Sequence, residues 1–199
     1  MYADKERVMT FLMIVLAILV LLGLVSYIWY TKIISNRNRV NEALSDVDVQ
    51  LKQRLDLIPN ILTIAKKFMD HETELMTSLT QMRELANAPY DKTNNDEIAA
   101  HLKNANDMAA LMGQLKITME NYPSLKSNET MTKAMDTYNE VEEQIAASRR
   151  FYNSSVTALN NSIQIFPGSV IANSISISLM PFYHAGDGED KPINSQDYL

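Results

Sequence analysis

Residues 8–30 contain no charged side chain, and no other feature limits the possible folds of this chain as sharply. At about 1.5 Å per residue, these 23 residues reach about 34 Å as a helix, enough to cross a hydrocarbon core of roughly 30 Å. Tyr27, Trp29 and Tyr30 stand at the end of the stretch, where aromatic rings favour the membrane–water interface. A cleaved leader would have a shorter apolar region, roughly 7–15 residues, followed by small residues at the cut site. Here Tyr-Ile-Trp-Tyr-Thr-Lys follows instead. The reading is a retained single-pass anchor over residues 8–30, preceded by a flank over 1–7. Lys5 and Arg7 precede the span, whereas Lys32, Arg37 and Arg39 follow it, with Lys52 and Arg54 just beyond. By the positive-inside rule this predicts, by one charge, a cytoplasmic C-terminal part.

From Val40 onward the apolar positions repeat every seven residues. One row reads Val40, Val47, Arg54, Ile61, Phe68, Leu75, Met82; the other reads Leu44, Leu51, Ile58, Ala65, Glu72, Leu79, Ala86. Alternating three- and four-residue spacing is the seam of a helix packed at coiled-coil geometry. The register passes Pro59 unshifted, so the pattern predicts one long helix over about 35–86, kinked at Pro59, with two helices meeting there as the alternative. Five Gly and six Pro in 199 residues also favour helix over sheet.

Asn87-Ala88-Pro89-Tyr90-Asp91 signals a turn, and Asn94, Asn95 or Asp96 can cap a second helix. That helix runs to about Asn121, with Ile98, Leu102, Ala105, Met108 or Ala109, Met112, Leu115 and Met119 on one face. A third helix is expected over about 127–163, ended by Phe166-Pro167-Gly168. Residues 170–179 alternate like a strand but have no sheet to join, so a short packed helix or an extended segment is expected. Residues 185–199 hold too little apolar surface to offset ordering entropy and read as a disordered acidic tail. The fold class is therefore all-α: one transmembrane helix, then an antiparallel bundle of three long helices plus a short C-terminal segment over residues 31–184.

These residues carry a resemblance. Arg37-Asn38-Arg39-Val40-Asn41-Glu42-Ala43 running into Asp46-Val47-Asp48-Val49-Gln50-Leu51-Lys52-Gln53-Arg54, and then Asp56-Leu57-Ile58-Pro59-Asn60, resemble the opening of LemA family proteins. Glu120-Asn121-Tyr122-Pro123-Ser124-Leu125-Lys126-Ser127-Asn128 and Ala147-Ser148-Arg149-Arg150-Phe151-Tyr152-Asn153 match later blocks in the same order, and Phe166-Pro167 and Pro181-Phe182-Tyr183 also fit. The chain departs from the family in carrying Leu44 where a Trp is usual, and in lacking the usual Arg-Arg pair around Arg54. The resemblance implies a bacterial membrane-anchored helical bundle, in the inner membrane with its bulk in the cytoplasm. It implies no reaction and no catalytic residues.

The residues themselves point away from several chemistries. Cysteine is absent, which removes disulfides, thiolate zinc and a Cys nucleophile. The net charge of −6, with no basic block outside the anchor's flank, argues against nucleic acid as a partner. Asp70-His71-Glu72 and Glu97 with His101 lack the Glu-x-x-His spacing of a carboxylate-bridged metal site. No phosphate loop or nucleophile elbow is present. No catalytic, cofactor or metal residue is therefore assigned, and no cofactor is expected.

The informative positions are charges inside the apolar rows: Arg54 and Glu72 in the first helix, and Glu142 and Arg149 one heptad apart in the third. Buried charges persist when paired, so these four mark either register-fixing ion pairs or a partner surface, with catalysis the weakest reading.

A length argument adds Val40, Leu44, Val47 and Leu51. A first helix of about 52 residues spans roughly 78 Å and a second of about 28 only roughly 42 Å. These four are left without an intrachain neighbour unless the segment after Phe166 reaches back. An uncovered seam seeks a second copy or a partner helix. The expected function is a membrane-anchored, non-enzymatic scaffold or adaptor. It contacts the bilayer through the anchor and an unidentified membrane protein through the bundle. The alternative is an accessory subunit of a membrane protease or envelope-stress enzyme. Lipid remodelling by an amphipathic helix is weaker, because no helix carries a broad Lys-rich face.

Overall fold

The computed structural model describes residues 2–184, with residues 2–6 and 8 described in backbone only; the expected tail over 185–199 lies outside them. The described chain is α1 (Tyr2–Ala65), α2 (Thr73–Ala86), α3 (Asn95–Met119), α4 (Pro123–Lys126), α5 (Glu129–Gln164) and α6 (Gly168–Ser174), with no strand among the described residues. It divides into two compact units: residues 2–40 with 155–180, and residues 41–154 with 181–184.

The second unit is a four-helix bundle rather than a three-helix one. The helix expected over 35–86 ends at Ala65, and the chain reverses over residues 66–72 before α2 begins. Turn bonds hold the reversal: the Met69 N–H donates to Ala65 O at 3.0 Å, and the Glu72 N–H to Met69 O at 3.4 Å. Pro59 lies inside α1. Its missing N–H would strand the carbonyl of Leu55, four residues earlier, but Arg83 Nε on α2 donates to that oxygen at 2.9 Å. The proline therefore does not end the helix; it hands an acceptor to a neighbour.

Side-chain bonds set the topology. Arg83 lies against Leu55 and Tyr90 against Asp48, so α2 returns antiparallel to α1. His101 then meets Asp48, and Arg54 reaches Ala105, so α3 runs parallel to α1. α5 comes back: Ile64 shares a groove with Thr130, and Arg54 meets Glu142. Two helices start on side-chain caps. The Asn94 side chain accepts from the N–H groups of Asp96 and Glu97, and Asn128 Oδ1 accepts from Met131 N–H at 3.0 Å, the expected use of a short polar cap. The face of α3 is buried from Ile98 to Met119 at all seven expected positions. Met108, Met112 and Leu115 join Ile58, Ile61 and Leu79 in one core.

This topology corrects the length argument. Val40, Leu44 and Val47 are fully buried and Leu51 nearly so. Because α1 turns at Ala65, the helices that follow start their return sooner and cover the seam with this chain's own side chains. Those four residues do not present an open face.

In the first unit, residues 9–30 of α1 expose almost every large apolar side chain. α5 runs back along α1, where Asn36 Nδ2 donates to Ala158 O at 3.2 Å. α6 follows the Phe166–Pro167 corner and closes with Ile177 N–H donating to Ala172 O at 3.0 Å. Ser176 sits there at φ 54°, the left-handed conformation that usually falls to Gly after a helix. The stretch that follows is extended, and Asn160 grips it by accepting from Met180 N–H and donating to Met180 O. In the bundle unit, Asn153 makes the same two-way bond with the Tyr183 backbone, at 2.8 Å each way.

Candidate functional site

The bundle interior holds two polar centres. The first is built on Arg54, whose side chain is only 1% exposed. α1 carries it at a core position of the heptad row, so its guanidinium must find acceptors within the bundle. Nη2 donates to Ala105 O at 2.7 Å and Nη1 to Glu142 Oε1 at 3.2 Å, while Nε is buried without a hydrogen-bond partner among the described residues. Tyr138, one turn before Glu142, interacts with both members of the pair; burial and the Glu142 charge push its hydroxyl well above the ordinary phenol range. Beside the pair lies a cavity of about 270 Å³, lined among others by Arg54, Asn106, Glu142, Arg149 and Tyr183. The Arg149 guanidinium lies 5.8 Å from the Tyr183 ring centroid, within cation–π range.

Three of the four charges expected at the packing faces, Arg54, Glu142 and Arg149, thus meet around one cavity. Glu72 does not. It is half-buried at the N-cap of α2 and accepts a hydrogen bond from Tyr122 Oη at 3.1 Å. The second row continues through it only because α2 resumes the same spacing after the turn.

The second centre is Asp48. Its carboxylate accepts from Tyr90 Oη at 2.9 Å, from His101 Nε2 at 3.2 Å and from Lys92 Nζ at 2.5 Å. Tyr90 and His101 stack with ring centroids 4.1 Å apart. Burial alone would raise the Asp48 pKa, but bonds from His101, Lys92 and Tyr90 outweigh it and hold the carboxyl below its ordinary range. Burial and the adjacent Asp48 charge push the Tyr90 hydroxyl upward. Sequence reasoning missed this centre because its members come from α1, the α2–α3 loop and α3. Only Asp48, beside Val47 on the packing side of α1, gave a local hint. His101 serves this cluster, while Glu97 accepts from Asp91 N–H and Asn94 Nδ2 at the start of α3. Among the described residues no three His, Asp or Glu side chains gather as a metal site requires.

Chemically, each centre sets a carboxylate against neighbouring donors: Asp48 accepts from three, and Glu142 is opposed by a guanidinium whose Nε is left over. The bonds join α1 to α3, to α5 and to the α2–α3 loop.

Comparison with known proteins gives the family. Over 167 residues, 83% of this chain and 74% of the relative, the chain is 22% identical to Protein LemA of Metamycoplasma hominis. Over 82 residues, 41% of this chain and 30% of the relative, it is 27% identical to Magnetosome protein MamQ of Magnetospirillum gryphiswaldense. The model of the LemA family matches residues 43–195, a span that takes in Asp48, Arg54, Pro59, His101, Glu142 and Arg149, and the chain is thereby a member of the LemA family.

Proposed function

We propose that this protein is a membrane-tethered scaffold: a single-pass anchor over residues 8–30 holds a rigid helical bundle at the cytoplasmic face, where it organises another membrane protein without catalysing a reaction. The observation that carries the reading is the composition of α1. One helix contains both an apolar stretch with mean hydropathy 2.9, none of it buried by the protein, and the row of core residues from Val40 to Ala65. Apolar surface on that scale needs a lipid solvent. Arg54 and Asp48 tie α1 to its neighbours by hydrogen bonds, which suits a part whose task is shape. The cytoplasmic side follows from Lys32, Arg37 and Arg39 outnumbering Lys5 and Arg7.

The test uses photo-crosslinkers at the exposed positions Val49 and Ile117 of the full chain in native membranes, with a chain lacking residues 1–30 as comparison. A discrete membrane-protein adduct that forms only with the anchored chain is expected. Adducts that persist unchanged without the anchor would remove the membrane from the mechanism. External protease on intact cells should spare the bundle; its digestion would reverse the orientation.

A further inference from the structure

The corner between α5 and α6 carries apolar side chains that none of the described residues covers. Ile165 is 57% exposed, Phe166 77% and Val170 61%, while Ser162, Ile163, Gly168 and Ala172 around them are buried. Scattered exposed hydrophobics are ordinary on any protein surface. Three within six residues, at a place fixed relative to the anchor, are not.

Two independent observations place the corner. Asn36 meets Ala158 across the antiparallel α1–α5 pair. α5 runs six residues further, to Gln164, an advance of about 9 Å; six residues back along α1 from Asn36 is Tyr30. The end of α5 therefore lies at the level where the uncharged span ends. Gly168, the first residue of α6, then packs directly on the Trp29 ring: a Cβ built there would stand 3.0–3.1 Å from ring atoms Cε3 and Cζ3. The same Cβ would stand 2.0 Å from the Ser162 carbonyl oxygen, so the corner admits only glycine between that backbone and the indole. The sequence agrees, since residues 151–183 contain no Asp, Glu, Lys or Arg. Charges at such a depth would cost hydration, and Lys32, whose ammonium lies 4.6 Å from the Trp29 ring centroid, stands two residues beyond the aromatic end at Tyr30.

We propose that Ile165, Phe166 and Val170 form a second lipid contact, seating the α5–α6 corner in the boundary between headgroups and acyl chains beside Trp29, roughly 5–10 Å below the surface as interfacial segments lie. The bilayer is the occupant because the patch lies at the level where the anchor's exposed apolar surface ends, beside Trp29. This rests on the reading of residues 8–30 as a membrane span. It adds that the protein is held at two points, so that the first unit is a lipid-reading element as well as a tether.

The chain has no cysteine, so single labels are clean. F166C and V170C, each carrying an environment-sensitive fluorophore, are reconstituted as the full chain in vesicles of phosphatidylcholine and phosphatidylglycerol. L16C reports the anchor and I117C reports solvent. The expected result is a blue-shifted emission at 166 and 170, quenched by a nitroxide near the headgroups and protected from aqueous iodide, with L16C quenched by a nitroxide deep in the chains. If L16C is quenched deeply while 166 and 170 behave like I117C, the second contact is refuted and the anchor stands. If L16C itself meets iodide, the anchor reading fails. Labels at 166 and 170 shielded from both quenchers would mean a protein partner or a second copy covers the corner, which also overturns the proposal. Unchanged helical circular dichroism verifies each variant's fold.

Discussion

Removing the charge at Arg54 should destabilise the bundle less than removing its partner's charge, although Arg54 is the more deeply buried of the two. The exposures set the order: the Arg54 side chain is 1% exposed and that of Glu142 31%. Breaking a fully buried pair by removing one partner costs about 3–5 kcal/mol, chiefly because a buried charge is left alone. Arg54→Met leaves behind Glu142, which water can reach, and preserves most of the packing volume; the expected loss is about 1–2 kcal/mol. Glu142→Gln instead strands a guanidinium that already has one unpartnered nitrogen, and the expected loss is about 2–3 kcal/mol. Arg54→Ala adds a void. Its missing side-chain volume of roughly 80 Å³ corresponds to nearly 2 kcal/mol at about 24 cal/mol per Å³. The bordering cavity admits water and reduces that term, so the total is about 3 kcal/mol. The double variant Arg54→Met with Glu142→Gln should fall well short of the sum of its parts. Urea unfolding of the full chain in mild detergent, followed by circular dichroism, measures all four. Additivity within about 0.5 kcal/mol, or Arg54→Met costing more than Glu142→Gln, would refute the account of the pair.

Asp48 gives a pH signature. Its folded pKa lies below the ordinary value of 3.8, so its stabilisation is present above that value and lost as the pH falls through the lower folded one. Asp48→Asn should therefore flatten the acid limb of stability below about pH 4, and an unchanged slope would contradict the bonding described. Ser176→Gly should raise stability by about 0.5 kcal/mol by relieving the left-handed backbone, read as a higher urea midpoint. Asn153→Ala removes both bonds to Tyr183 and should cost about 2 kcal/mol. It should also speed protease cleavage in the extended segment after α6, and cleavage at the parent rate would refute the grip.

The helices that the sequence punctuates were legible. Asn94 before α3, Pro123 after it and Pro167 after α5 each sit within a residue or two of an observed boundary, because a cap or a proline acts through local geometry. The turn at 66–72 was not legible, for a physical reason. Lys66-Lys67-Phe68-Met69-Asp70-His71-Glu72 contains neither Gly nor Pro, and α1 and α2 face one core, so the apolar spacing carries on across the reversal. The continuation of the helix through Pro59 was legible, because the apolar register passes it unshifted. Arg54 was legible as a site because a cation in an apolar row must be answered. That Glu142 answers it required the α1–α5 register, which the misplaced first boundary obscured. The Asp48 centre depends on three separated segments, and no spacing within any one of them announces it.

Pro59 and Arg83 together select among ways of packing α2. A hairpin of helices can slide by one turn and still bury apolar side chains, so burial alone discriminates weakly between adjacent alignments. Here Pro59 deprives Leu55 O of its helical donor, and among the described residues Arg83 supplies the replacement, at 2.9 Å. In an alignment shifted by a turn, a buried carbonyl would go unanswered and a guanidinium would face a helix whose acceptors are already taken. The energy gap between correct and slipped hairpins thus comes from an omission in the backbone. An alanine at position 59, whatever it gained in helix propensity, would restore the N–H that competes with Arg83 and narrow that gap.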